Sequence, residues 1–122
     1  MLREKINEKY EVFAMANLSP KTTGIAGVIV WVSAGEFEGK KSVHGARIKV
    51  VEGTSLTFAG LADATVVTIS DSPEVMHGKL KKKIMTLVSA FITLNKVALL
   101  AYWKGKIDTS ELVSQIKAIN QK

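Results

Sequence analysis

The sequence predicts an α+β domain in which an antiparallel β-meander of about four strands packs on one long helix, with a short C-terminal helix. Three observations predict it. A mostly apolar run over residues 79–104 contains no Pro and no interior Gly, β-branched segments separated by turn residues precede it, and a capping motif follows it. The length of 122 residues predicts a single domain over residues 1–122.

The segments before the long run have the residue content of strands. The strand candidates are residues 28–33, 46–51, 55–58 and 64–70. In the second, alternation places Ile48 and Val50 on one face and Arg47 and Lys49 on the other. We expect a hairpin turn at residues 52–53, a polar loop over residues 34–42, and a break in the sheet at residues 71–73. The long helix then begins near Gly78.

The long helix is predicted to be the centre of the core. One apolar stripe at helical spacing contains Ile84, Val88, Phe91, Asn95, Leu99 and Tyr102. Much of the remaining circumference is also apolar, and a patch is expected to stay partly exposed: Met85, Ile92, Leu100 and Trp103. Two-fold pairing is the commonest way to bury such a patch, so we expect a homodimer. The alternative is that the N-terminal segment folds back over it.

A membrane span is the competing interpretation of this helix. Residues 84–103 have about the ~20 residues that a span requires, with lysines before them and aromatic side chains at the end. Lys96, next to Asn95, lies past the middle, and a lysine deep in a span costs about 2.5–3.5 kcal/mol. We therefore interpret the run as a core helix of a protein that does not bind a membrane.

Both ends of the chain carry helix signals. Leu2, Ile6, Tyr10 and Phe13 have helical spacing, which favours a short helix running into an extended segment, although residues 10–14 could equally form a strand. Near the other end, Gly105 is placed to end the long helix. There, residues 108–111 resemble a capping box, with an apolar stripe following on a helix over residues 109–119.

Composition bounds the chemistry. The absence of Cys excludes disulfides, zinc-thiolate sites and cysteine nucleophiles. Charges are scattered over the first nine residues, where a signal peptide needs an apolar run, so a cytoplasmic location is expected. The net charge of +6 makes an anionic partner such as nucleic acid plausible.

Two groups of basic residues are candidates for binding an anion. Arg47 and Lys49 share a strand face beside His44, and a guanidinium, an ammonium and an imidazole suit phosphate or carboxylate. The second group is a cluster of lysines: Lys79, Lys81, Lys82 and Lys83. The alternative is that both are ordinary solvated faces, or that Arg47 pairs with an acidic residue across the sheet.

Motifs for catalysis, cofactors and metals are not recognisable. Residues 35–42 superficially resemble a phosphate-binding P-loop, but have three residues between the glycines and a strand predicted next. His44 and His77 lack the spacing of metal ligands, and no nucleophile elbow accompanies the serines. We therefore expect no enzyme activity, no cofactor and no metal.

Several segments together resemble a family of small uncharacterised bacterial and phage proteins. They are Asn17-Leu-Ser-Pro, Thr23-Gly24, Trp31-Val-Ser33, His44-Gly-Ala-Arg-Ile-Lys-Val50, Leu94-Asn95 and residues 99–108. The likeness covers residues 17–108, and it departs from the family where Ser33-Ala34 replaces an expected Ser-Pro. The resemblance implies one compact domain and carries no activity.

Two function classes therefore remain. One is a binding module for nucleic acid or another phosphate-bearing ligand, through His44, Arg47, Lys49 and the lysine cluster. The other is a protein–protein module, such as a toxin–antitoxin component or a phage inhibitor of a host defence complex, through the apolar helix. The lack of interleaved aromatic and basic residues weakens the first class. Basic residues clustered on one face would favour it, and dispersed charge would favour the second.

Overall fold

A computed structural model describes residues 15–33, 36–37, 40–41, 46–52 and 64–119 as an antiparallel sheet with a long helix on one face. The strands are β1 (Met15–Leu18), β2 (Val28–Ser33), β3 (Glu36–Phe37), β4 (Lys40–Lys41), β5 (Arg47–Glu52), β6 (Thr65–Thr68) and β7 (Val75–His77). The helices are α1 (Pro20–Thr23), α2 (Lys82–Trp103) and α3 (Thr109–Gln115).

The main sheet has five strands in the order β1-β2-β5-β6-β7, each antiparallel to its neighbours. This confirms the predicted α+β class and the strands predicted near residues 28–33, 46–51 and 64–70. Strands β1 and β7, which the sequence does not predict as strands of the sheet, join these three to give the five described strands. The predicted strand over residues 55–58 lies outside the described residues, as do residues 1–14.

The predicted polar loop over residues 34–42 contains a two-stranded ribbon. Strand β3 pairs with β4 so that Glu36 lies opposite Lys41 and Phe37 opposite Lys40. A phosphate-binding loop needs a helix directly after its lysine. Here Lys40 and Lys41 are in a strand, which favours an ordinary hairpin over a P-loop.

The core lies between the sheet and α2. Alternation along β5 buries Ile48 and Val50, which are 0% and 1% exposed, against the helix. The predicted stripe of α2 faces them, with Val88, Phe91 and Leu99 fully buried. Burying a side chain of this size contributes about 1.5–3 kcal/mol, so this layer dominates the stability of the fold.

The long helix begins at Lys82, four residues after the predicted start near Gly78. Residues Val75–His77 form β7 at the edge of the sheet, and Gly78 follows with a φ of +86°, in the left-handed region. The Oγ1 atom of Thr65 also donates a hydrogen bond to the carbonyl of Lys79 at 3.0 Å. The left-handed backbone of Gly78 and the hydrogen bond from Thr65 keep residues 78–79 outside the helix. The N-cap of the helix is Lys81.

The C-terminal helix ends at Gln115, four residues earlier than predicted. Its predicted capping box is confirmed: Asp108 accepts from the Glu111 amide at 2.8 Å, and Glu111 accepts from the Asp108 amide at 3.1 Å. Beyond the helix, the Asn95 side chain bonds both the N–H and the carbonyl of Lys117. Since the N–H and the carbonyl of Lys117 bond a side chain of α2, they are not available for the backbone hydrogen bonds that would extend α3.

Of the four residues predicted to stay partly exposed on α2, three do so and Ile92 does not. Ile92 is fully buried, and Met85, Leu100 and Trp103 are half-buried. The large apolar side chains that α2 exposes are Leu94, at 50%, and Val97, at 85%. The helical stripe was predicted correctly, but the covering of its flanks depended on where the sheet and α3 lie.

Helix α2 is long and apolar enough, by length and composition, to cross a membrane, and a third of its apolar window is buried inside the protein. Core helices of soluble proteins satisfy the same criterion. In this fold the stripe around Phe91 packs on the sheet, and an asparagine within that stripe makes three hydrogen bonds to backbone groups. One side of the helix therefore packs on the sheet.

Replacing Phe91 by Ala is expected to lower the free energy of unfolding by about 3–5 kcal/mol, because it empties a fully buried aromatic site. Thr93→Ala, at an exposed position of the same helix, is the control and should change it by less than about 0.5 kcal/mol. Urea denaturation measures both. Equal and small effects would place α2 at the periphery of the fold.

Gly24→Ala and Gly27→Ala are a second pair of substitutions whose effects on stability can be compared. Both glycines have a φ near +80°, where a Cβ costs roughly 1–2 kcal/mol. A Cβ at Gly24 would also overlap the backbone of Ile119, whereas Gly27 has open space. Thermal unfolding should therefore show a clearly larger loss for Gly24→Ala. Equal losses would mean that residues 116–119 are not held against α1.

Candidate anion-binding surface

Strand β5 positions the first pair of candidate residues. Because alternate side chains point to opposite faces, burial of Ile48 and Val50 under α2 sends Arg47 and Lys49 to the outer face of the sheet. Both are half-buried, and in the described part of the chain neither forms an ion pair. The alternative that Arg47 pairs with an acidic residue across the sheet is therefore not observed there.

A row of side chains crosses the outer face through Lys49. The register places Asn17, Trp31, Lys49, Val66 and His77 opposite one another on successive strands. Directly paired residues share a face of an antiparallel sheet. Lys49 and His77 are two strand spacings apart, which is about 10 Å. The structure thus adds an exposed imidazole to the face that carries Arg47 and Lys49.

A register shift in β7 gives His77 this position. Val67 pairs with Val75, but the next residue of β6, Val66, pairs with His77, so two residues of β7 oppose one of β6. Without the shift, His77 would share the inner face with Val75 by simple alternation. Irregularities of this kind have no clear signal in a sequence. The sequence therefore does not predict that His77 lies on the same face as Lys49.

The lysine cluster lies just beyond the same edge strand. Lys79, Lys81, Lys82 and Lys83 are all exposed, at the turn into α2 and in its first turn. The left-handed Gly78 starts the turn, and the bond from Thr65 to the Lys79 carbonyl holds it beside β6. Thr65 is directly followed by Val66, which lies between Lys49 and His77. Thr65 pairs with the inward-facing Val50, so the backbone of Lys79 lies at the inner side of the sheet edge, one residue along β6 from the row that contains Lys49 and His77.

Acidic residues offset little of this charge. The segment 75–107 contains seven lysines and His77 but no Asp or Glu. Among the described residues, the ion pair that forms is between Lys96 and Asp71, away from the cluster. Glu74 directly precedes β7, and its backbone bonds Thr68, which lies opposite Arg47. The cluster itself has no acidic partner in the described structure.

At one end of the outer face of the sheet, the apolar side chains are buried. Ile29, Trp31, Val51 and Ala64 form a second buried cluster, each 4–6% exposed. The indole Nε1 of Trp31 is buried, next to Lys49 across the strand pair, and has no hydrogen-bond partner in the described part of the chain. An unpaired buried donor costs about 1–3 kcal/mol. The sheet face therefore changes from buried and apolar at one end to half-exposed and basic at Arg47.

No group of three His, Cys, Asp or Glu side chains in the described ranges could hold a metal ion. His44 lies outside those ranges, so its predicted place beside Arg47, and any metal site that includes it, stay untested. Of the predicted anion-binding residues, the structure places Arg47 and Lys49 on one face and the four lysines at the adjacent edge. His77 and Trp31 are the neighbours that sequence reasoning missed.

Comparison with known proteins finds no match to the chain among family models, curated proteins or solved structures. The function of this surface is therefore argued from its geometry and charge.

Thr65→Val is expected to lower the free energy of unfolding by about 1 kcal/mol, since it keeps the shape of a buried side chain but removes the bond to Lys79. Thr86→Val removes a similar bond, to Lys82, on the exposed face of α2 and should change little. Chemical denaturation compares the two. An equal effect would show that the Lys79 turn does not depend on Thr65.

Proposed function

We propose that the protein is a non-enzymatic module that binds an anionic, phosphate-bearing partner, and that this partner is a nucleic acid. The contact surface consists of Arg47, Lys49 and His77 on the outer face of the sheet, together with the lysine cluster at its edge. His44, three residues before Arg47 in the chain, belongs to the proposal by its place in the sequence.

The observation that carries the proposal is a concentration of positive charge that has no acidic partner among the described residues. Four exposed lysines occur within five residues, and no acidic residue occurs between positions 75 and 107. A helix N-terminus repels cations by a few tenths of a kcal/mol, and the first turn of α2 contains no acidic side chain that would offset this. Lysines at this position lower the stability of the free protein, and a bound anionic partner would offset that loss.

The form of the surface favours contacts to phosphates over contacts to bases. Lysine ammonium groups bind phosphate as point charges, and Arg47 adds a planar fork of donors. The aromatic side chain of the sheet face, Trp31, is buried and does not offer a ring for stacking a base. We therefore expect binding that depends on salt and depends little on nucleotide sequence.

The salt dependence of binding tests this directly. Each phosphate neutralised on duplex DNA contributes about −0.9 to the slope of log K against log [salt]. Fluorescence anisotropy with a labelled 20-base-pair duplex between 50 and 200 mM NaCl gives that slope. Replacing Lys79, Lys81, Lys82 and Lys83 by Gln should reduce its magnitude by about 3 to 4 if all four contact phosphates.

A matched variant controls for net charge. Gln at four other exposed lysines removes the same charge elsewhere, and these positions are Lys21, Lys104, Lys106 and Lys117. Its slope should change by less than about 1. Equal changes in the two variants would mean that affinity follows net charge without a defined surface. No binding of the unmodified protein at 50 mM NaCl would reject the proposal.

The sheet face has its own test. The double substitution of Arg47 and Lys49 by Gln should reduce the slope by about 2, because both side chains are expected to contact phosphate. Glu74→Gln should strengthen binding, since it removes the negative charge nearest to that row. An unchanged slope in the double variant would restrict the contact surface to the lysine cluster.

A further inference from the structure

A second surface lies on the opposite side of the molecule, along the exposed face of α2. Apolar residues recur there at alternating spacings of three and four: Leu87, Ala90, Leu94, Val97 and Ala101. Val97 is 85% exposed and Leu94 50% exposed. Alternation of three and four is the heptad spacing with which one helix presents a seam to another. We refer to these five residues as the seam.

The fold leaves the middle of the seam exposed, at Ala90, Leu94 and Val97. Leu87 and Ala101 are half-buried, and Leu87 packs at the margin of the core. At 100° per residue, Val97 lies about 180° around the helix from Val88 and about 160° from Asn95, which face the core. Helix α3 packs on α2 through the buried Leu112 and does not cover Val97. The seam is therefore the side of α2 away from the sheet.

Positive charge bounds the seam at both ends. Lys82 and Lys83 are exposed before it, and Lys104 and Lys106 are exposed after it. Lys96, in its middle part, is paired with Asp71. No acidic residue occurs anywhere on α2. A helix bound to the seam would thus meet lysines at each end, and acidic side chains at the corresponding positions would complement them.

We propose that the seam binds an α-helix of a partner protein whose own apolar seam is bounded by acidic residues. The small side chains Ala90 and Ala101 permit close approach of the two helix axes, and Leu94 and Val97 supply the central contact. This surface shares Lys82 and Lys83 with the proposed nucleic-acid surface, but its apolar contacts lie elsewhere and do not depend on that proposal.

The charges disfavour a second copy as the occupant. Antiparallel pairing of two α2 helices sets Lys82 and Lys83 against Lys104 and Lys106, and parallel pairing sets each lysine pair against itself. Like charges at an interface cost free energy in either orientation. An anionic membrane also fits less well, because Ala and Thr occupy much of the exposed face and binding to lipid scales with buried apolar area.

A designed peptide tests the proposal on the full chain. The probe is a 21-residue helical peptide with Leu and Ala at its heptad seam and Glu at the flanking positions, and the matched peptide carries Lys in place of Glu. Isothermal titration at 100 mM NaCl should detect binding of the Glu peptide below 100 µM and none of the Lys peptide. Equal binding of both peptides, or no binding of the Glu peptide, would overturn the proposal.

Two valines provide matched variants. Val97→Gln should weaken binding of the Glu peptide by at least about tenfold, as expected for a central contact. Val113→Gln makes the same change at a 44% exposed position on α3, outside the seam, and should alter affinity less than about twofold. Equal losses would overturn the assignment to the seam. Duplex DNA affinity should be unchanged by Val97→Gln, which separates this result from the nucleic-acid proposal.

Two other possible occupants of the seam, a second copy of the chain and an anionic membrane, would give different experimental results. Light scattering that gives twice the chain mass of 13.2 kDa, falling to the monomer mass in Val97→Gln, would assign the seam to a second copy and overturn the proposal. Sedimentation with phosphatidylserine vesicles, lost in Val97→Gln, would assign it to a membrane with the same consequence. A monomer that does not sediment with vesicles and binds the Glu peptide is the expected result.

Discussion

Burial of one stripe of α2 against the sheet is the constraint on which the remaining structure depends. Phe91, Ile92 and Leu99 are fully buried, and the inner residues of every central strand lie against them. This layer fixes which residues of each strand face inward, since alternation leaves only one choice once a single register is set. It also fixes what remains for function, namely the outer face of the sheet and the far side of the helix.

A single polar residue within that stripe organises the C-terminal part of the chain. Asn95 is 4% exposed, and its amide nitrogen donates to the carbonyls of Phe91 and Lys117 while its oxygen accepts from the Lys117 amide. All of its bonds go to backbone groups, so a side chain that would be costly in a core is satisfied there. In return it holds residues 116–119 extended beside α1, where the Ile119 amide bonds the Thr23 carbonyl at 2.9 Å.

The two proposed surfaces share a sign of charge but differ in their physics. The basic surface around Lys49 and His77 offers donors and charge with little exposed apolar area, which suits a strongly hydrated phosphate backbone. The seam on α2 offers apolar area with charge only at its ends. This suits a partner helix whose own apolar surface is buried along the contact. Both follow from one property of the sequence, the lack of acidic residues over positions 75–107.

The sequence by itself determined the periodic features: the alternation in β5, the helical stripe through Phe91 and the capping box that begins at Asp108. Each is a local pattern whose period matches one backbone geometry, so neighbouring residues suffice to predict it. Only the tertiary structure decided where α2 begins, where α3 ends, and that His77 joins Lys49 in one row. Those outcomes depend on hydrogen bonds and strand register between residues far apart in the chain, which local periodicity does not encode.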